Sequence, residues 1–522
     1  MSSSFEQAHS DQVVGSLTTV DRLIVHGHLR WLWQQGGFAA FLLRQGLNIG
    51  RDFARYVRTS SDGIVAHGKK IAEKSGRPYE YQDRVVRGKD NLARQIAERD
   101  GITEGLVCVF STVELATCFT LVRGRIAPRA RKCLHLYFYL IDRELGFMHV
   151  RLQTWFPFQI QIYVNGREWL ARQLSKRGIG HVRYENTFTH IEDLKAAQKI
   201  CGRFTERPWW QVFDVFARRV NPVLPLIERL DFGSYYWAID ACEVATDVMW
   251  TSRKGLRLAL DDLFDYAIRT FSGDDVIRFL GYKIQPSKAE LATSHKRFPG
   301  HGDTAHERRR RPDCRRIKHR IRRNWIKLYD KWSVLRVETV INRPCDFRVL
   351  RIKQGEQGQK RYCYAAMTKS LRNLWRYLQV GEAANRRYLD ALAAAKPTQH
   401  TIAELDRLCR GRIVNGQRYP RLNPVAKDQH QIFCGVLAGE HSIQGFRNRD
   451  LQARLYLFPA KSVTEAKSRC ARVSRIIAKL RGHGLLAKVP GSRLYRVTDR
   501  GQRVMGLAIR FRRLEFPTAM TA

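Results

Sequence analysis

The sequence predicts an α+β protein: N-terminal helices, an antiparallel sheet with helices, a central α/β domain, and a small C-terminal module of helices plus a hairpin. Three observations predict it. The apolar period is helical over the first hundred residues and shifts to two from Gly105. The stretch 315–342, RRIKHRIRRNWIKLYDKWSVLRVETVIN, again alternates with period two and is rich in β-branched residues. The last hundred residues return to helices that end in a Pro490-Gly491 turn.

Residues 1–104 read as a helical region, with Val20-Asp-Arg-Leu-Ile and Gly37-Phe-Ala-Ala-Phe-Leu-Leu opening amphipathic segments. Residues 105–230 read as an antiparallel sheet with helices, its strands at 106–113, 116–122, 133–141, 147–155 and 158–164. In its central hairpin, His135, Tyr137 and Tyr139 share a face with His149, Arg151 and Gln153. Such a face suits base stacking and phosphate contact, and Tyr137, Tyr139, His149 and Arg151 are its candidate nucleic-acid residues. A solvated sheet face is the alternative.

Residues 231–396 form the central domain. The apolar strand around Trp237-Ala-Ile-Asp240 delivers Asp240, Glu243 and Asp247. Carboxylates there supply the hard oxygen ligands of an Mg²⁺ or Mn²⁺ site, with Asp240, Glu243 and Glu338 as candidate ligands. The bland reading makes them caps and surface ion pairs. From Arg308 to Lys331 the chain carries twelve Lys and Arg against Asp313 and Asp330. A strand cannot bury that many cations in an apolar core, so they need a polyanion or water. The candidate phosphate contacts are Arg308, Arg309, Arg310, Arg311, Arg315, Arg316, Lys318, Arg320, Arg322, Arg323, Lys327, Lys331 and Arg336. The hairpin turn is expected near Lys331 to Ser333. Residues 397–427 read as a helical linker.

Composition points the same way. The 522 residues are enough for several cores, and 44% hydrophobic content belongs to a folded chain. Lys and Arg number 92 against 49 Asp and Glu, a net charge of +43 that favours a nucleic-acid partner, DNA before RNA. Eleven scattered Cys with no CxxC spacing argue against structural zinc and suit a reducing compartment. The start MSSSFEQAHSDQ lacks a basic-then-apolar signal, so a cytoplasmic protein with no membrane partner is expected. A homo-oligomer is compatible with all of this.

The C-terminal stretch 428–522 resembles the winged helix-turn-helix family. Its carriers are the helix of 429–439, the helix from Gly445, the Ser462-Val-Thr-Glu465 cap, and the ending Leu485 to Val497 closed by Thr498-Asp-Arg-Gly501. The resemblance implies that Ala466, Cys470, Val473 and Leu480 are buried. It leaves Arg469, Arg472 and Arg475 for a major groove and Arg493 for the wing.

The order Trp237-Ala-Ile-Asp240, a basic strand, Tyr329-Asp-Lys331, then Arg336-Val-Glu338 resembles the replication-initiation-factor family of rolling-circle plasmids and phages. The resemblance covers about 230–345. It implies a domain of paired ferredoxin-like halves that nicks one DNA strand with a tyrosine and a carboxylate-bound metal. It carries over Asp240, Asp330 and Glu338 as acids, and Lys331 and Arg336 as phosphate contacts. The chain departs from the pattern in having Trp332-Ser333 where an acid is expected. No one tyrosine is marked as nucleophile; Tyr364, Tyr377 and Tyr388 are the candidates. The expected function is that of a replication initiator or strand-processing enzyme of a mobile element. The alternatives are a non-enzymatic DNA- or RNA-binding regulator, and a metal-dependent nuclease or transposase using water.

Overall fold

The strand that organises the fold is β1 (Val13–His28), inside the region expected to be helical. Its core SLTTVDRLIV is dense in β-branched side chains, which suit a strand and crowd a helix. In the computed structural model the described residues are 4–34, 36–82, 88–271, 273–281, 303–308, 315–354, 360–393, 399–438, 441, 445–456 and 458–512. They form a mixed α+β fold around an eleven-stranded sheet.

The other strands of that sheet follow in chain order. They are β2 (Tyr79–Tyr81), β3 (Gly105–Val122), β4 (Arg125–Asp142), β5 (Gly146–Gln153) and β6 (Ile160–Asn165). After a separate hairpin, β7 (His181–Tyr184) and β8 (Thr187–Ile191), come β9 (Tyr236–Trp250), β10 (Asp303–Arg308), β11 (Arg315–Ile321), β12 (Asn324–Lys331) and β13 (Val334–Ile341). The spatial order is β10-β11-β12-β13-β9-β1-β6-β5-β4-β3-β2. All neighbours are antiparallel except β2 and β3. The sheet therefore runs through the expected boundaries at 104 and 230, because β1 pairs with β6 on one side and β9 on the other.

Two expectations about turns fare differently. The chain reverses between β12 and β13 at Lys331 to Val334, where the hairpin turn was expected. It also reverses between β11 and β12, through Arg322 at φ 55°, where the alternation read as one continuous strand.

The first helices to matter are α1 (Ile49–Lys74) and α2 (Lys89–Arg99). They are followed by α3 (Gly166–Ser175), α4 (Leu194–Arg203), α5 (Arg253–Thr270) and α6 (Leu374–Leu392). Every residue of β13 is buried, so the centre of the sheet is covered on both faces. Helix α6 covers one face of β9 and β13. Its Gly381 sits so close that an added Cβ would lie 2.5 Å from Cβ of Val244.

The C-terminal unit has its own core of Phe433, Leu451, Val473, Ile477, Leu480, Leu485 and Met505. It comprises α7 (Lys427–Val436), α8 (Asn448–Leu455) and α9 (Val463–Gly482). A hairpin of Leu486–Lys488 and Tyr495–Val497 follows, then α10 (Asp499–Arg510). Ser462 caps α9 as expected, its Oγ accepting from the Glu465 N–H at 3.1 Å. Val473 and Leu480 are buried as expected, but Ala466 and Cys470 are exposed, because the first turns of α9 run past the core. No helix among the described residues is long and apolar enough to cross a membrane.

Candidate functional site

Side chains of one strand alternate between faces, so the registers lay out rows across the sheet. One row reads Lys318, Lys327, Glu338, Ala245 from β11 to β9. Its neighbour reads Arg316, Tyr329, Arg336, Asp247. On the other side comes Arg320, Trp325, Val340, Glu243, then Arg22 of β1. These rows share a face, and that face collects the acids of β9 and β13 together with the cations of β11 and β12.

Asp21 enters through a β-bulge. Val20 pairs with Val244 and Arg22 with Glu243, which leaves Asp21 as the extra residue. A bulge re-aims a side chain, and here it brings Asp21 to the same side as Arg22. Asp21, Glu243 and Glu338 are all buried, with a carboxylate oxygen from each within 4.8 Å of the others. Metal–oxygen bonds of roughly 2.0–2.6 Å allow oxygens that far apart to share an ion.

Cations and hydroxyls surround the three acids. Lys327 Nζ donates to Glu338 at 2.6 Å and lies 3.8 Å from Glu243. The Tyr329 hydroxyl donates to Glu338, and Arg22 pairs with Glu243. Arg167 Nε donates to Asp21 at 2.9 Å, and Asn186 Nδ2 does the same at 2.9 Å. Arg336 binds Asp247 at 2.6 Å and Thr187 Oγ1 at 2.6 Å, and it lies 3.6 Å from Asp21. Burial and the nearby Glu338 charge push Glu243 up to about 7. Burial also raises Glu338, but Lys327, Tyr329 and Arg336 bring it down to about 2. Burial and the Glu338 charge hold the Tyr329 phenol well above its ordinary value.

Comparison with protein-family models, with curated proteins and with solved structures finds no match. The chemistry therefore rests on the residues.

Glu243 and Glu338 come together as expected, but Asp21 takes the place assigned to Asp240. Asp240 is three residues from Glu243 along β9, roughly 10 Å at about 3.3 Å per residue. It pairs instead with His26 Nδ1 at 3.2 Å and Lys369 at 3.3 Å. Although burial raises it, His26 and Lys369 bring it down to about 2. Asp330 is buried and accepts from the Arg315 N–H at 3.1 Å; one step along β12 from Tyr329, it faces the other way. Burial raises its pKa.

Two candidate tyrosines are on the opposite face. Asn385 of α6 bonds to Thr246 and Thr339, each one step from the acid-bearing rows, so α6 lies behind the sheet. Tyr377 and Tyr388 belong to that helix and are fully buried, Tyr388 bonded to His319 Nε2 at 2.9 Å. They are core residues. Tyr364 lies in the strand Lys360–Ala366, and its side chain is outside the described residues. Among the described residues, Tyr329 is the tyrosine whose hydroxyl bonds to one of the three acids. It stood in the sequence pattern without being marked as a nucleophile.

Among the expected phosphate contacts, Lys327 is half-buried and Arg336 buried inside the acid cluster. Their charge is spent on Glu338 and Asp247. Lys331 pairs with Glu185, Arg322 with Asp346 at 2.7 Å and Arg315 with Asp261. Arg316 stacks on Tyr329 and Lys318 on Trp325. Arg320 and Arg323 are exposed. Arg308 ends β10, its side chain outside the described residues, as are Arg309, Arg310 and Arg311.

The Tyr/His platform is a correction. Tyr137, Tyr139, His149 and Arg151 do share a face, but α2 packs on it. Asp90 of α2 accepts from the Tyr139 hydroxyl at 2.8 Å and lies 3.6 Å from His149. Glu114 takes the Tyr137 hydroxyl at 2.7 Å and Arg151 at 2.6 Å. Burial pushes His149 down to about 4. The polar tips are used internally, and Tyr139 has no open ring for a base. In the C-terminal unit Arg469 is tied to Glu465 and stacks on Tyr456, whereas Arg472, Arg475 and Arg493 are exposed.

Proposed function

We propose that this chain binds nucleic acid and cleaves a phosphodiester bond of a single strand with Mg²⁺ or Mn²⁺ held by Asp21, Glu243 and Glu338. The observation that carries this is the convergence of three carboxylates, from three adjacent strands, within 4.8 Å in a protein of net charge +43. Three carboxylates are a hard donor set suited to those ions. Arg22, half-exposed beside Glu243, is positioned to meet a phosphate arriving from solvent. When bound, the metal would polarise the phosphoryl oxygen and activate the attacking oxygen. Tyr329, beside Glu338, is the tyrosine for a covalent mechanism; water is the other nucleophile. The winged-helix reading of 428–522 adds a duplex-reading module through Arg472, Arg475 and Arg493. Together these keep the expectation of a strand-processing protein of a mobile element, of the replication-initiation type.

A second reading is favoured by the charge balance of the cluster. Each acid already has a cationic partner, as in a structural ion-pair network, and the protein would then be a non-enzymatic binder.

The test is cleavage of single-stranded DNA and RNA by the full-length protein with Mg²⁺ or Mn²⁺. Asp21→Asn and Glu338→Gln are each expected to lower the rate by orders of magnitude while affinity stays within a few-fold, since a lost catalytic contact shows in rate. Cleavage that survives both substitutions sinks this site. Wild-type protein that binds DNA but leaves it uncut supports the binder. A covalent adduct that disappears in Tyr329→Phe separates the tyrosine route from the water route.

A further inference from the structure

Two hairpin tips meet where β13 begins, about 13 Å along that strand from Glu338. Trp332 sits in the β12–β13 turn at φ 56°, and Glu185 sits in the β7–β8 turn at φ 50°. Neither is glycine, and a left-handed backbone costs such residues on the order of 1–2 kcal/mol. Strained residues of this kind collect at binding sites and need surrounding structure to hold them. The Tyr184 ring stacks on Trp332 at 5.0 Å between centroids and 27° between planes. The Arg253 guanidinium lies 4.2 Å from the Trp332 ring centroid. Lys331 reaches across to Glu185 and ties the tips together. Trp332 nevertheless remains 39% exposed.

The pair is coupled to the acids by a short path. Two residues after Tyr184, Asn186 donates to Asp21 at 2.9 Å, and its carbonyl accepts from Arg336 at 3.0 Å. A large, partly exposed indole flanked by an aromatic ring and a guanidinium is the surface on which single-stranded nucleic acids stack their bases. Buried packing explains less, because 39% of Trp332 stays exposed with Tyr184 and Arg253 both against its ring.

We propose that Tyr184 and Trp332 form the seat of one unstacked nucleobase, with Arg253 beside it, on a single strand whose backbone passes the Asp21–Glu243–Glu338 cluster. This rests on the nucleic-acid reading above and adds a specific base subsite to it. The structure predicts a base-dependent contact rather than a phosphate contact, so its loss changes affinity without changing the salt slope.

The experiment uses the full-length protein and three labelled oligonucleotides of one length: deoxythymidine, uridine, and a deoxyribose chain with every base removed. Trp332→Leu is expected to weaken binding of the deoxythymidine strand by at least about fivefold, the lower end for base–aromatic stacking. Trp332→Phe, which keeps a ring, is expected to retain most of the affinity, and both variants should bind the abasic strand like wild type. A loss shared by the deoxythymidine and uridine strands assigns the seat to a base of either nucleic acid; a loss on one alone assigns it to that nucleoside. Equal losses on the base-bearing and abasic strands would mark Trp332 as a structural brace and overturn the proposal. So would Trp332→Leu binding within twofold of wild type, with the nucleic-acid reading left standing. Wild-type protein that binds none of the three strands would overturn that reading and this seat with it.

Discussion

Glu243 and Glu338 carry the same side chain yet are driven to opposite protonation. Glu243, pushed up to about 7, is protonated over part of the range in which Glu338, held at about 2, is fully charged. Burial and the Glu338 charge raise Glu243, whereas Lys327, at 2.6 Å from Glu338 and 3.8 Å from Glu243, favours the charged form of Glu338 more. The folded protein thus binds a proton at Glu243 more tightly than the unfolded chain, whose carboxyl titrates near the ordinary value. Stability from this group is intact below the ordinary glutamate pKa and declines as pH rises towards about 7. Glu243→Gln is expected to remove that decline, a difference on the order of 1–3 kcal/mol by pH 8. Thermal denaturation of both proteins at pH 5 and pH 8 checks it: parallel losses in the two would show that Glu243 does not hold the proton.

At the scale of elements, bulges and close packing do the positioning. The bulge at Asp21 gives the site its third acid, and a second irregularity between Ile24 and Val25 accompanies the turn of Asp240 towards His26. Neither has a signature in hydrophobic periodicity, which assumes an unbroken period of two. Helix α6 shows the packing side. Gly381 lets the helix approach β9 so closely that an added Cβ would lie 2.5–2.9 Å from all three branch carbons of Val244. A glycine-to-alanine change within a helix ordinarily stabilises by about 1 kcal/mol. Here Gly381→Ala is expected to destabilise by roughly 1–3 kcal/mol, because a stiff β-branched neighbour cannot move aside. A melting temperature that rises in this variant would refute the close approach.

For the whole molecule, part of the basic charge is paired internally and part stays exposed. Much of the central cationic stretch is consumed by acids on its own sheet, as Lys327, Arg336, Arg322 and Lys331 show. Arg320 and Arg323 stay exposed there, and Arg472, Arg475 and Arg493 are exposed on the C-terminal unit, which meets α6 through Arg386 and Asp499 at 2.7 Å. Changing Arg472, Arg475 and Arg493 to Ala together is expected to abolish preference for a particular duplex sequence. It should also reduce the salt slope of duplex binding by about 0.9 per lost phosphate contact. Single-strand affinity should change little. Competition binding against random duplex measures it, and full preference in the triple variant would remove the C-terminal unit as the reader.

The sequence by itself determined the α+β class, the presence of strands between Gly105 and Asn165, the β12–β13 turn and the capped helix after Ser462, because each depends on local period and turn chemistry; it split β3 in two and began β4 at 133 instead of Arg125. It named Glu243 and Glu338 among the candidate ligands but made Asp240 the partner of Glu338, and Asp240 lies apart from the cluster. It misread Val20-Asp-Arg-Leu-Ile as helix, although the β-branched run around it was a usable signal, and so missed Asp21. It set Tyr377 and Tyr388 near the acids when they stand behind the sheet, and it left the Tyr137–Arg151 face open when α2 covers it. Those are questions of which strand neighbours which and which face a helix takes. Tertiary structure alone decided them, since β1 meets β9 across more than two hundred residues of chain and no local pattern encodes that pairing.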